Sequence, residues 1–277
     1  MILFYLLLLL IAPLSAADLW NGKEYAQNSE SQRASAVAFL EKLSLEGNEK
    51  ILDIGCGDGK ITAEIARVLP RGYAVGVDIS PSMIQTAKAA FASRKNVHFV
   101  IRNATELNYV NQFDLITSFR VMFWVIEQEK ALRSMHTALK DCGKVCIQMP
   151  TGLPPPLLEA IQITTSQEAW KPFFTGFNPP WRFYKPDEYR ALLLKTQLTP
   201  RRIEVIHKEE YFPSRAAFQG FIRQWLPYLW PLTEHLKDKF LSEVIDLYLK
   251  KTGTSPDGKV PFFLDHLEVE AVKEPCS

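Results

Sequence analysis

An α/β protein built on a mostly parallel sheet is what this sequence predicts, and three observations predict it. Short apolar runs alternate with segments of 10–15 residues whose apolar spacing is helical, the pattern of strands joined by helical crossovers. The first of these runs, Lys50-Ile51-Leu52-Asp53-Ile54, opens into three glycines, Gly55, Gly57 and Gly59, and resumes as the helical Ile61-Thr62-Ala63-Glu64-Ile65-Ala66. The next run, Tyr73-Ala74-Val75-Gly76-Val77-Asp78, ends on an acid, where open α/β sheets bind ligands at the carboxyl ends of their strands.

The elements follow in order. Ser31 to Leu43 carries Ala34, Val37, Ala38 and Leu40 at helical spacing and leads into the first strand. Helices are expected over Lys60–Leu69, Pro81–Ser93 and Glu129–Lys140, and strands over Tyr73–Asp78, Val97–Ile101, Phe113–Phe119 and Lys144–Met149. Pro150–Pro156 closes this regular section as a turn. Beyond it, Leu157–Trp170 reads as a helix, Phe173–Tyr184 as an aromatic, Pro-broken loop, Asp187–Lys195 as a helix and Arg201–Lys208 as a strand. Helices near Ser214–Trp230 and Thr233–Lys251 and a turn at Gly253–Gly258 precede a last strand, Pro261–Val272. The late aromatic helices suggest a cap over the ligand crevice.

The 277 residues suffice for one large domain with a cap. Hydrophobic content of 47% and a formal charge of +1 describe a globular chain with no electrostatic footprint for nucleic acid. Cys56, Cys142, Cys146 and Cys276 form no C-x-x-C pair, and the five histidines show no ligand spacing, so no metal site is expected. Ile2 to Leu14 is nearly all apolar and Ser15-Ala16-Ala17 is small, so residues 1–17 resemble a signal peptide and offer the only expected membrane contact. The run is shorter than the roughly 20 apolar residues that span a bilayer.

The glycine turn departs from two common nucleotide-binding patterns. A dinucleotide fingerprint needs glycine where Lys60 stands, and a phosphate-binding P-loop needs Ser or Thr where Ile61 stands. What remains is D-x-G-x-G-x-G, in which Asp53 suits a cationic, amino-acid-bearing ligand and the glycines admit it to bare backbone. Asp78 can accept both hydroxyls of a ribose.

On these residues the chain resembles the class I S-adenosylmethionine (SAM) methyltransferases. Asp53, Gly55, Gly57 and Gly59 match their first motif, and Asp78 with Ile79-Ser80-Pro81-Ser82-Met83 matches their second. The resemblance implies a Rossmann-like, mostly parallel seven-stranded sheet with an antiparallel last strand and a helical cap. It implies SAM as cofactor, with Ile79, Asn103, Ala104 and Ser118 joining the motif residues around it. Trp20-Asn21, Tyr25-x-x-Asn28-Ser29-Glu30-Ser31-Gln32-Arg33 and Ser118-Phe119-Arg120-Val121-Met122-Phe123-Trp124 narrow the likeness. They resemble the branch of trans-aconitate and juvenile hormone acid methyltransferases, which act on carboxylates of small molecules. The likeness covers roughly residues 18–272, with a cofactor-binding core at 18–150, cap elements and the sixth strand at 151–260, the last strand at 261–272 and a tail at 273–277.

That branch implies Gln32 and Trp124 at the reacting centre and Arg33 beside the acceptor. Arg120, with Arg182 and Arg223, is a candidate carboxylate clamp, because a guanidinium pairs bidentately with carboxylates. Phe123 stands where many relatives carry His, which places a His-dependent mechanism in doubt. The expected reaction is O-methylation of a small organic acid. The alternatives are methylation of another small molecule or a carrier-bound acyl acid, or a SAM-fold protein retained for binding. SAM dependence favours a chain facing the cytosol, against the signal-like character of residues 1–17.

Overall fold

The computed structural model describes residues 20–275. The signal-like segment 1–17 lies outside the described residues, as does Cys276. Two helices, α1 (Gly22–Asn28) and α2 (Glu30–Leu40), precede the sheet. The core then alternates β1 (Lys50–Ile54), α3 (Lys60–Arg67), β2 (Tyr73–Asp78), α4 (Pro81–Ala90), β3 (Val97–Ile101), β4 (Phe113–Phe119), α5 (Gln128–Ala138) and β5 (Leu139–Pro150). After it come α6 (Pro155–Ser166), α7 (Lys171–Phe174), α8 (Pro186–Lys195), β6 (Leu198–Phe212), α9 (Arg215–Arg223), α10 (Glu234–Thr252) and β7 (Val260–Lys273).

The seven strands form one sheet in the order β3-β2-β1-β4-β5-β7-β6. Pairings from β3 through β5 are parallel, and β7 runs antiparallel to both β5 and β6. The order reverses between β1 and β4, so the helices that follow these two strands leave on opposite faces and a crevice opens at their carboxyl ends. β1 and β4 are buried almost continuously, as strands covered by helices on both faces must be.

Most boundaries fall within a few residues of expectation, and the departures have local causes. The helix expected over Ser214–Trp230 ends at Arg223, because Pro227 lacks an N–H and cannot continue the ladder; a single 3₁₀ turn, Pro227–Leu229, follows. Pro155 does not prolong the turn but opens α6 at a first-turn position where its missing N–H costs nothing. The unanticipated α1 starts at Asn21, whose side-chain oxygen accepts from the backbone N–H of Glu24 at 3.2 Å.

The cap has its own apolar core, in which Leu157 and Ile161 of α6 meet Phe218 and Ile222 of α9 and Phe240 and Val244 of α10. It continues onto the sheet through Phe262 on β7. The cap is therefore packed against the strand ends, and its aromatic underside faces the crevice.

Candidate active site

The turn after β1 takes its shape from its glycines. Gly55, Gly57 and Gly59 have φ of 70°, 53° and 83°, a region in which side chains are strained. Their surroundings differ. A Cβ on Gly55 would lie 2.1 Å from Val121 Cγ2, and one on Gly59 would lie 2.7 Å from the Phe99 ring. One on Gly57 would meet only the Tyr25 ring, at 3.4 Å. Gly57 is thus the position where bare backbone faces open space, whereas Gly59 secures helix-to-strand packing.

Asp78, at the end of β2, accepts from the Gly57 N–H at 3.0 Å and the Ser80 N–H at 2.9 Å. Burial raises its pKa above the usual carboxylate range, opposed by the N–H donors of Ser80, Gly57 and Ile79. The N-terminal helices are pinned to the same turn. Ser29 Oγ donates to Asp58 Oδ2 at 2.7 Å, and Lys60 Nζ donates to Ser29 Oγ at 2.8 Å and pairs with Asp58 at 3.2 Å.

A cavity of about 350 Å³ opens over this turn. At one end it is lined by Gly55, Gly57, Asp78, Ile79, Asn103 and Ala104. Asn103 Oδ1 accepts from the Thr105 N–H at 3.0 Å, an Asx turn that leaves one lone pair free. The other end is aromatic. Trp124 packs edge-on against Trp20 at 5.2 Å and Trp181 at 5.8 Å, and stacks on Trp230 at 5.9 Å. Phe123 stacks on Phe183 with 11° between the planes.

Two polar groups interrupt this apolar wall. Gln32 is on the buried face of α2, one turn before Ala36, and its Oε1 has no hydrogen-bond partner among the described residues. Arg120 follows β4 with φ of 58°, and its Nη2 donates to Glu210 Oε1 at 2.7 Å while its buried Nε has no partner among the described residues. Tyr25 also lines the cavity, and burial, reinforced by Asp58, pushes its phenol well above the ordinary range.

Four expected site residues do not line the cavity. Asp53 is sealed behind it, accepting from Thr62 Oγ1 at 2.6 Å and Thr117 Oγ1 at 3.0 Å, with its pKa raised to about 6 by burial. Gly59 is walled off by Phe99 and Ala87. The Ser118 hydroxyl is fully buried and donates to the Ile54 carbonyl at 3.3 Å across the β1–β4 ladder. Arg33, one residue past Gln32 and so about 100° round the helix, points outward to Glu30 and Glu64. Arg182 and Arg223 also lie off the cavity; Arg223 pairs with Glu24, Glu234 and Asp238 between α1 and the cap. Sequence reasoning quoted Trp20 and Tyr25 without a role and passed over Arg102, Trp225, Trp230 and Glu210, none of which has a spacing signal.

A doubly wound sheet with a glycine turn facing an acid at its topological switch point defines an α/β enzyme that binds a nucleoside-bearing cofactor. The methyltransferase domain family model matches residues 45–183, and the chain belongs to that family. It is 29% identical to the trans-aconitate 2-methyltransferase of Escherichia coli K12 over 253 residues, covering 87% of this chain and 93% of the relative. It is 24% identical to the juvenile hormone acid O-methyltransferase of Drosophila melanogaster over 244 residues, covering 81% of each. Among solved structures, the YcgJ protein of Bacillus subtilis superposes with a TM-score of 0.60 at 18% identity, covering 88% of this chain and 99% of that one. Phosphoethanolamine N-methyltransferase 2 of Haemonchus contortus, in complex with S-adenosyl-L-methionine, gives 0.58 at 17% identity, covering 92% and 57%.

The protein is a SAM-dependent methyltransferase, and SAM is its cofactor. The residues present fit that molecule: the carboxylate of Asp78 and the uncovered backbone of Gly57 border the same open space. Among the described residues no group of three or more His, Cys, Asp or Glu could hold a metal, and no helix is long and apolar enough to cross a membrane.

Proposed function

We propose that the protein O-methylates the carboxylate of a small organic acid with an apolar body. The observation that carries this reading is that Gln32 Oε1 and Arg120 Nε, both brought to the chamber around Glu210, have no partner among the described residues, as is also true of Arg102 Nε and Trp225 Nε1 along the same cavity. Buried polar atoms without partners are costly, so their presence in a cavity marks where a polar ligand group belongs. The amide oxygen and nitrogen of Gln32 exchange places by rotation, so this side chain can present an N–H to a carboxylate.

When bound, SAM supplies a methyl group on a sulfonium, already activated for displacement. Asp78 would accept from the ribose hydroxyls, Gly57 would admit the cofactor to backbone contact, and Ile79, Asn103 and Ala104, which line the same end of the cavity, would complete its pocket. Arg120 Nε and the Gln32 amide hold the acceptor carboxylate, and Trp124 closes the wall that aligns it with the methyl group. The aromatic rings around Trp124 exclude water and cover the acceptor's apolar body. A carboxylate is deprotonated at neutral pH, so the chain needs no general base for it. Phe123, packed on Phe183, is consistent with such chemistry. The likeness to two carboxyl methyltransferases supports the same acceptor class.

The test is incubation of the purified protein with methyl-labelled SAM and a panel of aliphatic, isoprenoid and aromatic acids. Label in base-labile esters is expected, and label found only in base-stable products would overturn the carboxylate assignment.

A further inference from the structure

Glu210 lies on β6, at the far edge of the sheet from the glycine turn, yet it organises both polar groups of the chamber. Its Oε1 accepts from Arg120 Nη2 at 2.7 Å, and its Oε2 accepts from Ser31 Oγ at 2.8 Å. Arg120 stands at the end of β4, three places from β6 in the strand order, so the pair joins a central strand to the edge strand. Ser31 immediately precedes Gln32 on α2. One carboxylate therefore fixes the guanidinium directly and the carboxamide through its helix.

The pair is shielded, with Arg120 11% and Glu210 20% exposed, so solvent and salt screen it less than a surface bridge. The charges facing it can be counted. His266, paired with Pro150 on β5 and Ile206 on β6, is fully buried with neither ring nitrogen bonded among the described residues, and burial, then Arg120 and Lys208, depress its pKa to about 2. It is neutral. Lys208, on the same face of β6, does not line the cavity. Arg102, the other guanidinium that does, donates to the Leu107 carbonyl at 2.7 Å and lies over the Tyr109 ring. Arg120 is thus the cation at the Gln32 end of the chamber, and Glu210 has already matched its charge.

We infer that Glu210 is a specificity-determining residue: by neutralising Arg120 in advance, it lets the chamber accept one carboxylate and rejects acids that carry a second or third. The inference rests on the carboxylate reading above. One carboxylate gains the Arg120 Nε–H and the Gln32 amide. A further carboxylate held at the Gln32 end would be desolvated beside Glu210, whereas Arg102, the cavity's other guanidinium, sits at the cofactor end next to Asp78; like charges brought together at a binding site act as a filter against the wrong partner.

The test is calorimetric titration of octanoate and of the tricarboxylate tricarballylate into protein saturated with S-adenosylhomocysteine. The wild type should favour octanoate. Glu210→Gln should raise the affinity ratio of tricarballylate to octanoate about tenfold or more, by removing the repelling charge. Glu210→Asp and Ser31→Ala, which keep that charge, should leave the ratio near the wild-type value. An unchanged ratio in Glu210→Gln, or equal weakening of both acids, with octanoate still bound by the wild type, would overturn the specificity role and leave the carboxylate reading standing. Wild-type protein that binds S-adenosylhomocysteine but neither acid would overturn both.

Discussion

The backbone N–H of Gly57 donates to Asp78 at 3.0 Å, tying the turn after β1 to the end of β2. That bond makes one carboxylate both a structural brace and an acceptor facing the cavity. Asp78→Asn keeps an oxygen for the brace but removes the charge, so SAM affinity should fall by about 1.5–3 kcal/mol while the fold persists. Titration calorimetry checks the affinity and thermal unfolding checks the fold; unchanged affinity in a folded variant would remove Asp78 from the cofactor site.

The three glycines of the turn should separate by readout. Gly55→Ala and Gly59→Ala drive a Cβ into Val121 and Phe99, and overpacking of this kind costs about 1–3 kcal/mol beyond the penalty for positive φ. Gly57→Ala meets only Tyr25 and should lose mainly the backbone penalty of about 1–2 kcal/mol. It should lose cofactor affinity more steeply than its neighbours at equal stability. Denaturant midpoints set beside SAM titrations for the three variants give the comparison, and equal ratios of the two losses would contradict the distinction.

Asp53 predicts a pH dependence of stability rather than of binding. Its carboxyl, raised from 3.8 to about 6 by burial, holds a proton more tightly folded than unfolded. Its contribution therefore favours the fold below about pH 4, declines as pH rises toward 6, and stays unfavourable above, by about 3 kcal/mol for a shift of that size. Asp53→Asn, whose amide can serve both Thr62 and Thr117, should raise stability at pH 8 and flatten the decline between pH 4 and 6. Urea unfolding of the protein without cofactor at pH 4, 6 and 8 measures this, and a parallel pH dependence in the two proteins would exclude Asp53 as its source.

The sheet was legible because its signals are local. Apolar runs ending in Gly57 or Asp78 specify buried strands, turns and helix starts without reference to the rest of the chain. The motif also named residues whose spacing is shared but whose duties differ: Asp53 and Gly59 belong to the pattern yet serve packing, a distinction visible only once Thr117 and Phe99 are placed beside them. Helical phase alone separates Gln32 from Arg33, but the apolar spacing read from sequence, Ala34, Val37, Ala38 and Leu40, is not the buried face, which carries Gln32, Ala36 and Phe39. Glu210 was illegible for another reason. Its partners are 90 and 179 residues away, and no local pattern encodes a contact that depends on strand order.

Trp124 is held between Trp20, Trp181 and Trp230, so its removal opens the aromatic end of the cavity without touching the Gly57–Asp78 brace. Trp124→Ala should lower turnover about tenfold or more, as loss of alignment does, with SAM affinity changed much less. Steady-state kinetics beside cofactor titration would show the split; parallel losses would assign Trp124 to the cofactor instead.

The last prediction turns on which groups facing the cavity can exchange a proton near neutrality. Phe123 offers none, and Tyr25 is pushed far above neutrality by burial; of the two carboxyls on the lining, Asp78 is raised by burial but held by the Gly57 and Ser80 N–H groups at the cofactor end, and Glu127 is exposed. Asp53 titrates near 6 but is sealed behind Thr62 and Thr117, out of reach of an acceptor. With a carboxylate acceptor, already ionised above its own pKa of roughly 4–5, turnover at saturating SAM should be nearly flat between pH 7 and 9. A phenol or amine acceptor would instead have to ionise by itself, and its rate would climb about tenfold per pH unit until its own pKa was reached. Phe123→His supplies the missing imidazole beside Trp124. It should leave the carboxylate profile level in shape while any turnover of a phenolic acid's hydroxyl rises through the imidazole pKa. A pH–rate series on the first acceptor identified, run in wild type and Phe123→His, discriminates these cases. A wild-type rate that rises steeply through neutrality would reject the carboxylate acceptor while leaving the methyltransferase assignment in place.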